Sequence, residues 1–155
     1  MANYTDKGQT LTDLVLETFR LNGALLVWGD ELVRDLGLTS ARWQVLGAVA
    51  LEGRPLTVAQ AARRMGLSRQ AVQRVANDLE KLGLLAFLDN PDHKRAKLVA
   101  LSEQGQAAYD QADARDARWV NDLGAAVDGE TAEAALKLMK TIHGRCVSTL
   151  MTRTD

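Results

Sequence analysis

The stretch from Thr57 to Leu101 constrains this chain most, because its backbone signals arrive in a fixed order. Thr57-Val58-Ala59-Gln60 is a capping box, in which the threonine hydroxyl and the glutamine amide satisfy backbone groups left free at a helix start. The helix it opens has room only to about Met65, where Gly66 supplies the permissive backbone of a tight turn. Leu67 is expected to plug the core at that turn, and Ser68 to cap a second helix from Arg69 to Leu82. Val72, Val75, Ala76, Leu79 and Leu82 fall on the inward side of this helix, and Gly83 stops it. Arg69, Gln70, Gln73, Arg74 and Asn77 fall on its other side. Leu84–Leu88 is short, apolar and follows a glycine, so it reads as a strand. Asp89-Asn90-Pro91-Asp92 is a turn signal with His93, Lys94 and Arg95 at its end, and Lys97–Leu101 returns as the second strand of a hairpin.

Long helices flank this segment, and only 2 prolines in 155 residues leave room for them. From about Thr10 to Leu36, Leu14, Leu21, Leu25, Trp28, Leu32 and Leu36 recur at helical spacing. Leu11, Val15, Phe19, Leu26 and Val33 make a second apolar stripe, so this helix is predicted to bury two sides. Gly37 ends it, and Thr39 or Ser40 caps the next, Ala41 to Leu51. Ser102 caps a long helix to about Val127. After Asp128-Gly129 a last helix carries Ala132, Ala135, Met139, Ile142, Cys146 and Leu150 on one face. The fold class is therefore mainly α with a small β-hairpin, in a single domain over residues 1–155. Such an apolar surplus on the terminal helices is more than a small monomer tolerates, which points to a homodimer.

Composition narrows the class. With 46% hydrophobic and 25% charged residues the chain is neither disordered nor fibrous. No run approaches the ~18 apolar residues of a membrane span, and the start lacks signal-peptide order. A cytoplasmic protein with no membrane partner is expected. The net charge of −1 conceals a division: residues 54–97 hold nine basic and four acidic side chains, +5, while the remainder carries −6. A basic centre between acidic ends suits a polyanion; a solvated face with chance clustering is the plainer alternative.

Two helices joined by a glycine turn, the second polar and basic outside, follow helix-turn-helix logic. Arginine can bond a guanine edge and glutamine or asparagine an adenine edge in the major groove. A basic-tipped hairpin directly after such a helix makes the arrangement a winged helix, with Arg95 suited to a narrow minor groove. The candidate contacts to double-stranded DNA are Thr57, Ser68, Arg69, Gln70, Gln73, Arg74, Asn77, His93, Lys94 and Arg95.

Gly66-Leu67-Ser68-Arg69-Gln70-Ala71-Val72, Leu79-Glu80-Lys81-Leu82-Gly83-Leu84 and Asn90 to Val99 together resemble the MarR family of bacterial transcriptional regulators, and Leu101-Ser102-Glu103-Gln104-Gly105 extends the likeness. The resemblance covers nearly the whole chain. It implies a homodimeric winged-helix repressor or activator, a repressor in the first instance, on a pseudo-palindromic operator, with release of DNA by a small aromatic ligand. It also implies dimerisation helices at 1–36 and 102–155 around a DNA-binding region at 39–101. The family's wing commonly reads Asp-Arg-Arg, the Asp bracing the second Arg. Here those positions are His93, Lys94 and Arg95, so the brace is absent unless Asp92 substitutes. Family members that sense thiol oxidation keep their cysteine in the first helix. Cys146 stands in the last, and is expected to be a small packed side chain.

No catalytic residues, cofactor or metal are expected. His143 and Cys146 stand one helical turn apart, but no second pair completes a tetrahedral site. No phosphate loop or nucleophile elbow is present. Trp28 and Trp43 read as core; the sharper possibility is an effector pocket between the first two helices, with Arg20 or Arg42 meeting a carboxylate. The alternative function is a winged-helix module that binds a protein and not DNA.

Overall fold

The computed structural model describes residues 3–152; the outermost residues of the expected 1–36 and 102–155 segments lie outside this range. Its first helix, α1 (Asp6–Val33), begins four residues before the apolar spacing does, because Thr5 caps it by accepting a hydrogen bond from Gly8 N. A single 3-10 turn, Arg34–Leu36, closes it, and Gly37 takes a left-handed φ of 69°. Thr39 caps α2 (Ser40–Ala50), and the expected capping box opens α3 (Val58–Met65) with both of its reciprocal bonds formed. Helix α4 (Arg69–Lys81) is capped by Ser68, whose Oγ accepts from Ala71 N at 3.1 Å. Asp128 caps α6 (Gly129–Met151), and α5 (Glu103–Gly124) stops three residues before the expected Val127.

The hairpin strands β2 (Leu85–Leu88) and β3 (Leu98–Leu101) have a third partner that the sequence pattern does not show. Leu56–Thr57, immediately before α3, pairs antiparallel with β3, so we number it β1; the sheet order is β1-β3-β2. Leu56 faces Val99 across one ladder and Phe87 faces Val99 across the other, which makes β3 central. Two residues carry no period of their own; β3 and the burial of Leu56 create this strand.

The chain forms two compact units, one up to Arg115 and one from Asp116, so α5 contributes to both. In the first unit Leu46, Leu56, Leu79, Val33, Val45, Val72 and Val99 are fully buried, each worth about 1.5–3 kcal/mol of transfer from water. Helices α1 and α2 meet closely at Gly29, where a Cβ would lie 2.8 Å from Ser40 Oγ. The buried Ser40 donates its backbone N–H to Asp30 Oδ1 at 2.6 Å, and its hydroxyl accepts from Gln44 Nε2.

Leu67, Leu82 and Cys146 depart from their expected burial, and within the single chain the two apolar stripes of α1 stay largely exposed. Leu67 does not plug the core: its N–H bonds back to Ala62 O across the Gly66 turn, and its side chain is 45% exposed. Leu82 is likewise 47% exposed, because the chain reverses at Gly83 and Leu84, with its N–H on Leu79 O, takes the place against the core. Cys146, expected to be packed, is exposed on α6.

The end of α4 is bonded to the start of α5. Ser102 Oγ donates to Gly83 O at 2.6 Å and accepts from Gly105 N at 2.9 Å, while Ser102 N donates to Leu84 O at 3.1 Å. A Cβ on Gly105 would stand 1.9 Å from Leu84 O, a backbone atom that cannot swing aside. Further along α5, Arg115 donates to both oxygens of Asp35, at 2.5 and 2.8 Å, and to Leu32 O at 2.9 Å, joining α5 to the end of α1. The Arg115 hydrogen bond, reinforced by its charge and opposed by desolvation, holds the Asp35 carboxyl below its ordinary value.

Two measurements follow from these joints. Gly105→Ala should lower the unfolding free energy by at least about 2 kcal/mol in denaturant titrations, because the clash is with backbone. The lowered Asp35 pKa means that the folded state binds this proton less readily than the unfolded chain. Its stabilising contribution is present above the ordinary carboxylate range and is lost as pH falls through the depressed value. The stability difference between the native chain and Arg115→Gln should therefore be constant near neutrality and shrink below about pH 4; both side chains are partly exposed, so it should also weaken with salt.

Candidate nucleic-acid interface

The α4 face opposite Val72, Ala76 and Leu79 has no core to meet, and the structure places it along a groove of about 710 Å3. One wall is the start of α3 with Thr57, Val58 and Ala59. The floor is α4, contributing Arg69, Gln70, Gln73, Asn77 and Glu80. The far wall is the hairpin, with Phe87, Arg95, Ala96 and Lys97. Six of the ten candidate DNA contacts thus surround one concavity: Thr57, Arg69, Gln70, Gln73, Asn77 and Arg95.

The other four are placed differently. Ser68 is committed to capping α4. Arg74 is exposed on α4 but does not line the groove, so it is not grouped with Arg69, Gln70 and Gln73 as the sequence suggests. The helical turn carries it around from Gln73 and Asn77, to a flank. His93 and Lys94 are exposed at the hairpin tip, also outside the lining. Sequence reasoning missed Glu80 and Lys97. The spacing of Glu80, three residues after Asn77 and seven after Gln73, could have placed it on the groove face.

Basic residues in this region divide into paired and unpaired sets. Glu52, whose side chain is only 14% exposed, pairs with Arg54 at 2.6 Å and with Arg64. These two arginines inflate the +5 of residues 54–97, because Glu52 lies just outside the counted window. Lys81 approaches Asp78 at 4.0 Å. Among the described residues, no carboxylate lies within 4 Å of Arg63, Arg69, Arg74, Lys94, Arg95 or Lys97. Of these, Arg69, Arg95 and Lys97 line the groove, while Arg74 and Lys94 are exposed on the flank of α4 and at the hairpin tip, where an outside anion can reach them.

Asn90 organises the hairpin tip. Its Nδ2 donates to Ala96 O at 2.9 Å, its Oδ1 accepts from Asp92 N at 3.0 Å, and its carbonyl accepts from His93 N at 3.2 Å. His93 Nδ1 accepts from Arg95 N at 3.4 Å. Asp92 does not brace the Arg95 guanidinium; the backbone at Arg95 is positioned by the imidazole instead.

The effector candidates are less concentrated. Trp28 and Trp43 are half-buried on α1 and α2, and the Trp43 ring lies 3.7 Å from where a Cβ on Gly29 would be. Arg42 Nη1 donates to Gly37 O at 3.4 Å. Arg20 pairs with Glu17 at 3.0 Å on the exposed part of α1, beside a cavity lined by α1 residues alone, so the structure does not bring it to the tryptophans. Among the described residues no helix is long and apolar enough to cross a membrane, and no group of three His, Cys, Asp or Glu could hold a metal.

A family model described as MarR family matches residues 36–96, which spans α2 through the hairpin tip. An uncharacterized protein of Mycobacterium tuberculosis is 43% identical over 121 residues, 78% of this chain and 83% of its own length. Among solved structures, a mutant MarR from E. coli complexed with operator DNA superposes with a TM-score of 0.75 at 20% identity, covering 89% of this chain and 99% of that one. CouR from Rhodococcus jostii, bound to p-coumaroyl-CoA, superposes with a TM-score of 0.75 at 22% identity, covering 84% and 91%. The stretch matched by the family model carries α2, α3, the Gly66 turn, α4 and the hairpin to its tip, and the chain belongs to the MarR family.

Proposed function

We infer that this chain is a cytoplasmic DNA-binding transcriptional regulator, a repressor, that acts as a homodimer on a pseudo-palindromic operator and is released by a small aromatic ligand. One observation carries the DNA reading: the groove between α3, α4 and the hairpin is edged by Arg69, Arg95 and Lys97, none paired with a carboxylate among the described residues, and floored by the amides of Gln70, Gln73 and Asn77. Unpaired cations suit phosphates, and amides and guanidinium groups suit base edges. The operator-bound MarR of E. coli, similar in fold, supports the same reading.

Residues 39–101 form the DNA-binding region in this proposal. A second copy would cover the terminal helices, 1–36 and 102–155. Each unit by itself leaves large apolar side chains exposed: Phe19 and Val27 on α1, at 70% and 65%, and Leu136, Leu138 and Met139 on α6. Two-fold symmetry would then match the symmetry of the operator. The effector reading rests on Trp28, Trp43 and Arg42 where α1 and α2 pack; Arg20 would join only through a ligand long enough to reach it. The ligand-bound CouR neighbour supports an effector site of this general kind.

The test is a titration of operator and scrambled duplexes, the operator being selected from a random library, at two salt concentrations. Arg69→Ala or Gln70→Ala should lower specific binding by roughly 1–3 kcal/mol and relax preference at one position per half-site. Arg95→Ala, Lys94→Ala and, given its place on the flank, Arg74→Ala should weaken both duplexes evenly and reduce the salt slope by about one per lost phosphate contact. Should Arg95→Ala leave both affinities unchanged while the α4 variants abolish binding, the hairpin is no DNA-contacting wing.

A further inference from the structure

Gln73 and Asn77 stand one turn apart on α4, both exposed and both lining the groove, and they are bonded to each other: Gln73 Nε2 donates to Asn77 Oδ1 at 2.8 Å. In that bond the glutamine amide offers its NH2 end to Asn77. One N–H is spent on Asn77, leaving Gln73 Oε1 free as an acceptor and the second Nε2 proton free as a donor. Resting on the DNA reading above, we propose that Gln73 and Asn77 act as one locked amide unit that selects adenine over guanine at one position of each half-site, Gln73 reading the base and Asn77 positioning it.

The chemistry is a match of donors to acceptors. Adenine presents an amino donor at N6 beside an acceptor at N7, and the locked glutamine meets them with Oε1 and its remaining N–H. Guanine presents two acceptors, O6 and N7, so the fixed Oε1 would face O6, acceptor against acceptor. Released from Asn77, the amide turns freely and brings its NH2 group to either purine. Asn77 therefore matters through the orientation it imposes on Gln73.

The experiment is selection from a duplex library randomised across the half-site, followed by titration of the adenine and guanine versions of the best site. The native chain should prefer adenine by about tenfold at one position. Gln73→Ala should erase that preference, and Asn77→Ala should reduce it to within about twofold at the same position, with a smaller loss of affinity for the best site. Asn77→Asp restores an acceptor for Gln73 Nε2 and should keep the preference, while its added charge weakens all duplexes evenly. Both side chains are exposed, so thermal unfolding should move by no more than about 2 °C in any variant. A tenfold preference surviving in Asn77→Ala overturns the proposal. So does a change at a different position from that altered by Gln73→Ala, since Asn77 would then read a base itself. A native chain that binds no duplex at all would instead overturn the DNA reading of the groove, whereas duplex binding with no preference for adenine at any position overturns this proposal alone.

Discussion

The fold depends on a joint between the end of α4 and the start of α5. Ser102 serves three partners there: its hydroxyl donates to Gly83 O and accepts from Gly105 N, and its own N–H donates to Leu84 O. The left-handed turn at Gly83, φ 73°, presents the two carbonyls, and the missing side chain at Gly105 lets the α5 backbone come close enough to use them. Gly83 closes the helix that floors the groove, and Leu84 leads into β2, whose Phe87 is part of the groove wall. The position of that wall relative to its floor is thus tied to a few backbone hydrogen bonds. Buried backbone groups cost free energy unless paired, so the joint tolerates little substitution.

Around the groove, polar side chains are divided by task. Thr57 and Ser68 spend their hydroxyl oxygens on helix starts, and Glu52 holds Arg54 and Arg64 against the body of the winged helix. What remains unspent is concentrated where an outside partner can reach it: the guanidinium groups of Arg69 and Arg95, the ammonium of Lys97, and the amide face of α4. Glu80 is the carboxylate among the groove-lining side chains, and its negative charge opposes phosphate at the C-terminal end of α4. Cation placement along the groove is therefore uneven, favouring the N-terminal half of the helix and the hairpin. Base-reading by a recognition helix uses that same N-terminal half.

Much of this was legible from local chemistry. Capping boxes, N-caps and the glycines at 37, 66 and 83 act over three or four residues, and the structure shows each as the residues predict, with positive φ at all three glycines. The polar face of α4 followed from helical spacing alone. The two-residue β1 was not legible, because its pairing comes wholly from β3, some forty residues later. Nor was the exposure of Leu67 and Leu82, which depends on how a turn redirects the chain rather than on hydrophobicity. Summing charge over residues 54–97 missed Glu52, which lies close in space and just outside the window.

Sequence by itself determined the order of the six helices and the hairpin, the caps and glycine stops from Gly37 to Ser102, the family and the side of α4 that is polar. All of these rest on interactions within a turn or two of helix, where spacing along the chain equals spacing in the fold. Tertiary structure decided which polar side chains share a concavity, that Arg74 stands outside it, that Asp92 leaves Arg95 unbraced and His93 holds its backbone, and that Lys97 and Glu80 join the site. Those outcomes depend on contacts between α3, α4 and the hairpin, whose relative placement is set by core packing and by the Ser102 joint, far from these residues in the chain.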